Sequence, residues 1–507
     1  MNRLAASLVA TLALVIAIGA FGRASVKDER AASAPAVRAA EPLGISSRSL
    51  CTIQASIPVE TANVNLIVSD ALTANGDEAG CLSPQDEPTI AVNPLDPRNL
   101  VAGANDFRTC CDANGDSNST GWVYVSKDGG ATWTNVQLPG LTRQTGGTGQ
   151  FVRFDVAEDP ALAFAPDGTL YYAHIVFATG SPASGIAVSV SRDGGDTWSP
   201  PSLVQFTNDP ALFNDKEWIA VGADGRAVVT WTRFRNQDHA VDSLIQGAFS
   251  SDRGGTWTRP VQLSDDHHRR SQGSMPVWGK DGTLYVVFAT TAPPHFKGAV
   301  AVSTLAPGGR AVQRDVARIY DDANCFAVNA NMRQTLTDEA FRISSLPSAS
   351  IDPATQAIAI AWVDGERGCG KGGFTRVTNA QVKLIYVRGK SVSKPRIITS
   401  GADKALPSVA YHDGKLVVAY YTRSFAPGSC LYAAKRVCID YAYSTSADGF
   451  STQRRLSDGS SNPYMQFEGT FIGDYAGVAV GSDGVAHAVW TDSRGGDQNI
   501  YAQSFSP

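Results

Sequence analysis

The chain of 507 residues is poor in methionine and in charge, and it has no excess of basic residues. Lysine and arginine number 43 against 48 aspartates and glutamates, so the formal net charge is −5. Phosphate backbones need concentrated positive charge, and a nucleic-acid partner is therefore not expected. Charged residues at 18% and hydrophobic residues at 43% are typical of a folded globular protein. The 4 methionines stand beside 48 glycines and 26 prolines, a balance that favours many turns over long helices.

Only one apolar run is long enough to cross a membrane, and it lies at the N-terminus. Arg3 precedes an apolar stretch from Leu4 to Phe21, and Gly22-Arg23-Ala24 offers small residues to signal peptidase. We therefore predict a signal peptide over residues 1–24, with an uncleaved anchor as the alternative. Residues 25–50, rich in Ala, Ser and Pro, are predicted to form an unfolded spacer. The mature protein is expected to be secreted or periplasmic/extracellular, without a membrane span, and monomeric.

The cysteines contain no C-x-x-C pair, so a zinc site built on such pairs is unsupported. All 8 cysteines follow the predicted signal peptide, and an even number in an exported chain favours disulfides. Cys430 and Cys438 are the best single candidate pair, because their bond would close one local loop. The adjacent Cys110 and Cys111 are expected to bond to different partners.

An apolar strand, an Asp-Gly or Asp-Pro turn and a second apolar strand recur along the chain, and each set predicts a β-hairpin. The turns are Asp96-Pro97, Asp167-Gly168, Asp224-Gly225, Asp281-Gly282, Asp352-Pro353, Asp413-Gly414 and Asp483-Gly484. They follow one another at intervals of about 65 residues, longer than the roughly 40–50 residues of WD40 and kelch blades. A second strand pair usually follows each hairpin. Four strands per repeat predict an all-β fold, a β-propeller with seven blades, or six as the alternative.

The two ends of the chain are predicted to meet in one blade. The last hairpin has no obvious fourth strand before Pro507, whereas an apolar segment, Val64 to Val68, precedes the first hairpin. A strand from the N-terminal side would close the ring and remove the exposed sheet edges. Residues 51–507 are therefore predicted to be one propeller domain.

A second repeat has the pattern S-x-D-x-G-x-T-W, and it occurs at Ser126 to Trp133, Ser191 to Trp198 and Ser250 to Trp257. Ser444 to Ser451 is a degenerate copy. The Asp can accept backbone N–H bonds, the Gly permits positive φ, and the Trp can pack between sheets, so the motif is predicted to be structural. It resembles the Asp-box (BNR) repeat of sialidases and their relatives. The resemblance implies a turn between the two outer strands of a blade, on the face away from the active site.

Polar residues on the opposite face are predicted to line a central funnel. Acids lie in the segments that lead into the hairpins, and arginines follow the hairpins' second strands. Guanidinium groups bind carboxylates in a bidentate fork, and paired carboxylates are the usual groups that break glycosidic bonds. The alternative is that these charges only form ion pairs between blades.

The sialidase resemblance implies a Tyr nucleophile, a Glu that activates it, an Asp acid/base and three arginines for the substrate carboxylate. Residue type and face assign the catalytic roles to Tyr475, Glu217 and Asp159. The substrate-binding residues are then predicted to be Glu87, Arg108, Arg233, Asp474 and Arg494. The sequence departs from that family in two respects: it has no Arg-Ile-Pro motif, and its seven predicted blades exceed the family's usual six.

Oxygen-bearing side chains also alternate at Asp112, Asn114 and Asp116, as they do in calcium loops. The Gly and the bidentate Glu of the EF-hand pattern are missing, so a calcium site and a metal-free Asx-rich turn both stay open. No other cofactor is expected. Two functions follow from the sequence: an exported sialidase-like glycoside hydrolase that acts on a terminal sugar, or a non-catalytic propeller that binds glycans or proteins. The expected partner is a carbohydrate or glycoconjugate.

Overall fold

The computed structural model describes residues 63–67, 83–110, 112–113, 117–237, 240–266, 268–292, 297–320, 326–329, 333–365, 379–399, 401–425, 430 and 438–507. The predicted signal peptide and spacer lie outside these ranges. Within the ranges, every regular element is a strand except the 3-10 helices Gly149–Arg153, Ser446–Asp448 and Phe467–Gly469. No helix in this part of the chain has the length and apolar character of a membrane span. The all-β prediction is confirmed.

The strands form antiparallel sheets that follow one another along the chain, and we number these sheets 1 to 6. Sheet 1 contains Gln85–Asn93, Asp96–Asp106, Trp122–Ser126 and Thr134–Gln137. Sheet 2 contains Val156–Phe164, Leu170–Phe177, Ser184–Ser191 and Ser202–Thr207. Sheet 5 contains Lys404–His412, Lys415–Thr422, Asp440–Thr445 and Arg454–Arg455. Sheet 6 contains Gly477–Val480, Ala486–Asp492, Asn499–Phe505 and the N-terminal Val64–Asn65.

Sheets 3 and 4 are larger. The first half of sheet 3 contains Leu212–Val221, Ala227–Gln237, Ala240–Ser250 and Val261–Gln262. Its second half contains Arg270–Trp278, Leu284–Ala292, Lys297–Leu305 and Val312–Arg318. One parallel pair, Ser243 with Arg270, joins the halves. Sheet 4 contains Ser348–Ile351, Ile358–Asp364, Gln381–Arg388, Ser391–Val392 and Arg396–Ile397. Two short pairs, Thr109–Cys110 with Ser117–Asn118 and Ala327–Val328 with Gln334–Thr335, stand apart.

The first strands of neighbouring sheets lie against each other. The contacting pairs join sheet 1 to sheet 2, sheet 2 to the first half of sheet 3, the two halves of sheet 3, its second half to sheet 4, sheet 4 to sheet 5, sheet 5 to sheet 6, and sheet 6 to sheet 1. The apolar core fills the spaces between adjacent sheets, where Trp231, Trp362 and Trp490 are fully buried. This stacking brings the N-terminal ends of the first strands together, and the candidate site is found there.

The predicted Asp turns connect first and second strands, and local hydrogen bonds explain why. In sheet 2 the Asp167 carboxylate accepts a bond from the Thr169 backbone N–H at 3.0 Å. Gly168 follows with φ 81°, a conformation that favours glycine. Phe164 then pairs with Leu170, so the hairpin prediction is confirmed at this turn.

The three S-x-D-x-G-x-T-W motifs connect third and fourth strands, in sheets 1, 2 and the first half of sheet 3. In the first motif the Asp128 carboxylate accepts bonds from the Thr132 N–H at 2.9 Å and the Thr132 hydroxyl at 2.6 Å. The Trp133 indole donates to the Gly130 carbonyl at 3.1 Å. The second motif repeats these contacts with Asp193, Thr197 and Trp198. In these two motifs the Asp and Trp side chains therefore find their partners within one turn, whereas the Trp257 indole nitrogen of the third motif has no hydrogen-bond partner among the described residues.

Two further predictions of the sequence analysis, one local and one long-range, fall within the described residues. Cys430 and Cys438 form a disulfide, as predicted. Val64 pairs with Ala502 in an antiparallel ladder, so the N-terminal segment supplies a strand to the sheet that contains the chain's last strand. Of Cys110 and Cys111, only the backbone of Cys110 is described, and their expected pairing with different partners stays a prediction.

Candidate functional site

Bulges interrupt the first strands of sheets 1, 2 and 3 at equivalent positions. The pairing shifts between Asp86 and Thr89, between Glu158 and Ala161, and between Asp215 and Trp218. At each bulge one residue has left-handed backbone: Glu87 (φ 54°), Asp159 (φ 54°) and Lys216 (φ 51°). Such a conformation costs a non-glycine residue about 1–3 kcal/mol and is concentrated at functional sites.

The three bulge residues are charged, and their side chains meet. The Lys216 ammonium lies 3.1 Å from Glu87 Oε1, 3.2 Å from Asp159 Oδ1 and 3.1 Å from Asp474 Oδ2. Arg342 joins this group through Asp474, and we call these five residues the ionic cluster. Lys216 is only 9% exposed and Glu87 only 1%. Because buried charges need compensating partners, the cluster ties sheets 1, 2, 3 and 6 together electrostatically.

Three polar groups fix the geometry of the cluster: the Arg342 guanidinium, the Asp474 backbone N–H and the Asn105 amide. The Arg342 guanidinium donates two hydrogen bonds to the Asp474 carboxylate, from Nε to Oδ1 and from Nη2 to Oδ2, both at 2.8 Å. The Asp474 backbone N–H donates to Glu87 Oε1 at 2.8 Å. Asn105 donates to Glu87 Oε2 at 2.9 Å and accepts from the Asp159 backbone N–H at 2.8 Å. The carboxylates are therefore held in fixed positions before any ligand binds.

Four further acids surround the cluster: Asp86, Glu158, Asp215 and Glu217. Burial, together with Asp86 and Glu87, raises the pKa of Glu158 to about 8. Burial and the charge of Asp159 raise the pKa of Glu217 well above its usual value. Burial would also raise the pKa of Asp474, but Arg342 and Lys216 outweigh it and lower that pKa. The site thus places protonated carboxyl groups beside an ionised one, the arrangement that general acid–base chemistry requires.

Glu217 and Tyr475 lie in the same buried region. Glu217 is 2% exposed, and neither of its carboxyl oxygens has a hydrogen-bond partner among the described residues. The Tyr475 ring packs edge-on against Trp218 with centroids 5.5 Å apart, and the Lys216 ammonium lies 5.3 Å from its centre. Burial and the charges of Asp159 and Glu87 raise the pKa of the Tyr475 phenol. Tyr475 is therefore protonated at neutral pH and needs a base before it can attack a substrate.

The three predicted arginines lie in different surroundings. Arg108 forms a fork on Asp106, with Nε 2.9 Å from Oδ1 and Nη2 2.7 Å from Oδ2. Arg494 is paired with Asp458 and Asp492. Arg233 makes no ion pair with a described acid, and its buried Nε has no hydrogen-bond partner there. Burial and the neighbouring Arg235 lower its pKa.

A further arginine approaches the ionic cluster with a free donor. Arg333 is half-buried, and its Nη2 has no hydrogen-bond partner within the described ranges. Burial and the charge of Arg342 lower its pKa to about 10. Arg333 and Arg233 therefore have nitrogen atoms that a polar ligand could satisfy.

The predicted calcium loop lies mostly outside the described residues. Asp112 is described and buried, and its Oδ2 lies 3.5 Å from the Asn118 amide nitrogen; Asn114 and Asp116 lie outside. Across the described ranges, no group of three or more His, Cys, Asp or Glu residues could hold a metal ion. Calcium stays a prediction.

The structure brings Glu87, Asp159 and Asp474 of the predicted site into direct contact with residues that sequence reasoning did not select. Lys216 carried a signal: its segment, Asp215-Lys216-Glu217, occupies the same place as Glu87-Pro88 and Asp159-Pro160 at the start of a hairpin. Arg342 had no such signal in the sequence, because it lies outside the repeating hairpins. Its contact with Asp474 spans 132 positions of sequence.

No protein-family model matches the chain, and no curated protein does. Several solved structures are similar. An α-L-arabinofuranosidase of Fusarium graminearum, in complex with an iminosugar inhibitor, has 12% identity and a TM-score of 0.44, covering 88% of this chain and 98% of that one. A Trypanosoma rangeli sialidase has 14% identity and a TM-score of 0.42, covering 73% of this chain and 57% of that one. An ulvan lyase has 12% identity and a TM-score of 0.45, covering 83% of this chain and 93% of that one. At these values the likeness assigns neither a family nor an activity.

Proposed function

We propose that the protein is an exported glycoside hydrolase that acts on a terminal sugar at the ionic cluster. One observation carries the proposal: the Asp159 and Asp474 carboxyl groups lie within 3.2 Å of the same Lys216 ammonium, yet the pKa of Asp159 is raised and that of Asp474 is lowered. Cleavage of a glycosidic bond needs a carboxylic acid to protonate the leaving oxygen and an anion to stabilise the developing positive charge. This set of side chains offers both.

The roles follow from the surroundings of each group. Asp159, whose pKa is raised by burial, gives its proton to the leaving oxygen. Tyr475, whose hydroxyl donates to the Pro160 carbonyl at 3.5 Å before substrate binds, attacks the sugar carbon as the bond to the leaving oxygen breaks. Its phenolic proton passes to Glu217, which must be ionised for this step. Water, deprotonated by Asp159, then displaces Tyr475 from the sugar, and Glu217 returns the proton to the phenolate.

Asp474, held as an anion by Arg342 and Lys216, stabilises the cationic transition state. Activity should therefore rise with pH as Glu217, whose pKa is raised well above its usual value, loses its proton. The fraction of protein in which Asp159 still keeps its proton limits the rate at high pH.

The proposed scaffold is a closed propeller of seven blades, related to the Asp-box sialidases. Three observations support it. Among the described residues the two halves of sheet 3 share a single bridge, Ser243 with Arg270, so each half can be counted as a blade. The contacts between first strands return from sheet 6 to sheet 1. Val64–Asn65 pairs with the last strand of the chain, which removes an exposed sheet edge.

The alternative is a non-catalytic module that binds glycans. The ion pairs of Glu87, Asp159 and Asp474 with Lys216 favour it, because carboxylates bound to an ammonium are less free to react with a substrate. In that case the unpaired nitrogens of Arg233 and Arg333 would be the groups that bind the ligand.

A panel of chromogenic glycosides that includes a sialoside and an α-L-arabinofuranoside separates the two functions. We expect turnover of at least one substrate, and a loss of about 10²–10⁴-fold in Glu217→Gln and Tyr475→Phe. Tyr285→Phe removes a phenol from the second half of sheet 3 and should leave turnover unchanged. Full activity in Glu217→Gln and Tyr475→Phe would contradict the assigned roles. Glycan binding without turnover by the parent protein would establish the alternative.

A further inference from the structure

Three half-buried phenylalanine rings meet beside the ionic cluster. The centroids of Phe107 and Phe467 lie 5.7 Å apart at an interplanar angle of 64°. Those of Phe467 and Phe471 lie 5.8 Å apart at 81°. Both pairs are edge-to-face, an arrangement that aromatic rings favour. Phe107 follows the second strand of sheet 1, and the other two precede the first strand of sheet 6, so distant segments assemble the group.

The central ring, Phe467, is held at a backbone cost. Its φ is 49°, and a bulky side chain with left-handed backbone is uncommon. Hydrogen bonds from the Thr470 N–H and hydroxyl to the Phe467 carbonyl, at 2.9 and 2.7 Å, stabilise this turn. Strained residues persist where the surrounding structure fixes them and are concentrated at ligand sites. The ring of Phe467 nevertheless stays partly exposed.

Arg342 connects the phenylalanines to the ionic cluster. Its guanidinium carbon lies 4.3 Å from the centre of the Phe471 ring, while its nitrogens grip Asp474. Its backbone N–H donates to the Thr470 carbonyl at 3.0 Å. One side chain therefore sets the position of an apolar surface relative to a buried carboxylate.

We propose that Phe107, Phe467 and Phe471 form an apolar subsite that binds the C–H face of a second, neutral sugar ring. This inference rests on the proposed function, and it makes the substrate an oligosaccharide rather than a simple glycoside. A sugar ring has apolar faces and a polar edge, and sites lined by aromatic rings with a few fixed polar groups suit such a molecule. A wholly apolar group, such as an acyl chain, would cover the partly exposed Arg342 guanidinium without offering it a hydrogen bond.

The test compares ligands of one and two sugar units on the full chain. Arabinose with arabinobiose, and galactose with lactose, are titrated into Glu217→Gln, in which turnover is blocked, with tryptophan fluorescence and calorimetry as readouts. We expect Phe467→Ala and Phe471→Leu, each added to Glu217→Gln, to weaken binding of the longer ligand about tenfold and that of the shorter one little. Phe471→Leu keeps an apolar side chain without the flat ring. Phe425→Ala, which removes an exposed ring elsewhere, should change neither affinity.

The outcomes separate this inference from the proposed function. Equal weakening of short and long ligands, or an equal loss in the Phe425 variant, would overturn the subsite. If the parent protein cleaves a glycoside while Phe467→Ala keeps the same KM for the longer substrate, the subsite is wrong and the hydrolase stands. If no ligand is bound and no glycoside is cleaved by the parent, both are wrong. Thermal melting identifies a variant that fails to fold. If either Phe467→Ala or Phe471→Leu fails, the other variant tests the subsite.

Discussion

The acids of the outer turns and the acids that surround the ionic cluster carry the same carboxyl group in opposite surroundings. Asp128 and Asp252 lie at exposed turns, where hydrogen bonds from a neighbouring threonine and serine lower their pKa values to about 2. Glu158, half-buried beside other acids, has a pKa raised to about 8. The aspartates of the repeated motif accept hydrogen bonds within their own turn and stay ionised. The acids that surround the ionic cluster have raised pKa values and keep their protons to higher pH. The strongest sequence motif is therefore structural, whereas the proposed chemistry depends on charged residues at the bulges of the first strands and on Asp474 and Arg342.

The largest effect on stability should come from Lys216→Met. Removing the ammonium leaves Glu87, Asp159 and Asp474 buried without their shared cation, which should cost about 3–5 kcal/mol of unfolding free energy at pH 7. Urea denaturation measures this loss. The matched control is Lys127→Met, because Lys127 pairs with Asp196 at the exposed outer turns and should cost at most about 1 kcal/mol. Equal losses of unfolding free energy in Lys216→Met and Lys127→Met would contradict the difference between the ionic cluster and the outer turns.

Glu158→Gln should change how stability depends on pH. The folded protein keeps the Glu158 proton up to about pH 8, whereas the unfolded chain releases it near 4.5. The folded state thus binds more protons across this window, and its contribution makes stability fall as pH rises. Screening of this half-buried group reduces the effect to about 1–2 kcal/mol. The urea midpoints at pH 5 and pH 8 should lie closer together in Glu158→Gln than in the parent protein. The same difference between the two midpoints in both proteins would contradict the raised pKa.

Asp128→Ala should give the smallest effect, about 1 kcal/mol of stability, because it removes hydrogen bonds that are exposed to water. Turnover should not change. The folded pKa of Asp128 is lowered, so its contribution is present above about pH 4 and is lost as pH falls toward 2. Thermal melting at pH 7 measures the loss of stability, and melting at pH 2.5 shows whether that loss shrinks as Asp128 is protonated. Asp196→Ala, at an exposed acid in the neighbouring turn, is the control; a drop in turnover in Asp128→Ala would place chemistry at the outer face.

The parts of the fold that the sequence predicts are local. Asp167-Gly168 forms its turn through a bond to Thr169, two residues on, and Asp128 closes its motif through Thr132, four residues on. Arg108 and Arg494 are also local, because each follows a pairing aspartate by two residues. An Asp-x-Arg pattern is thus a sequence signal for an internal ion pair, and it was available before the structure.

The ionic cluster could be predicted only in part. The position of Glu87 and Asp159 at the start of hairpins indicated the correct region of the chain. Their convergence on Lys216 depends on how first strands of different sheets meet, and Lys216 is 129 positions from Glu87. Pairing over such distances has no periodic signal. The phenylalanines Phe107, Phe467 and Phe471 were missed for the same reason.

The most direct test of the account compares two aspartates of sheet 2 on the best glycoside of the panel. Asp159→Asn removes the proposed acid at the ionic cluster, and Asp193→Asn alters the outer turn of the same sheet. We predict that kcat falls about 10²–10⁴-fold in the first and stays within about twofold in the second, with both variants folded by circular dichroism. Equal turnover in the two variants, or a larger loss in Asp193→Asn, would contradict the assignment of chemistry to the ionic cluster.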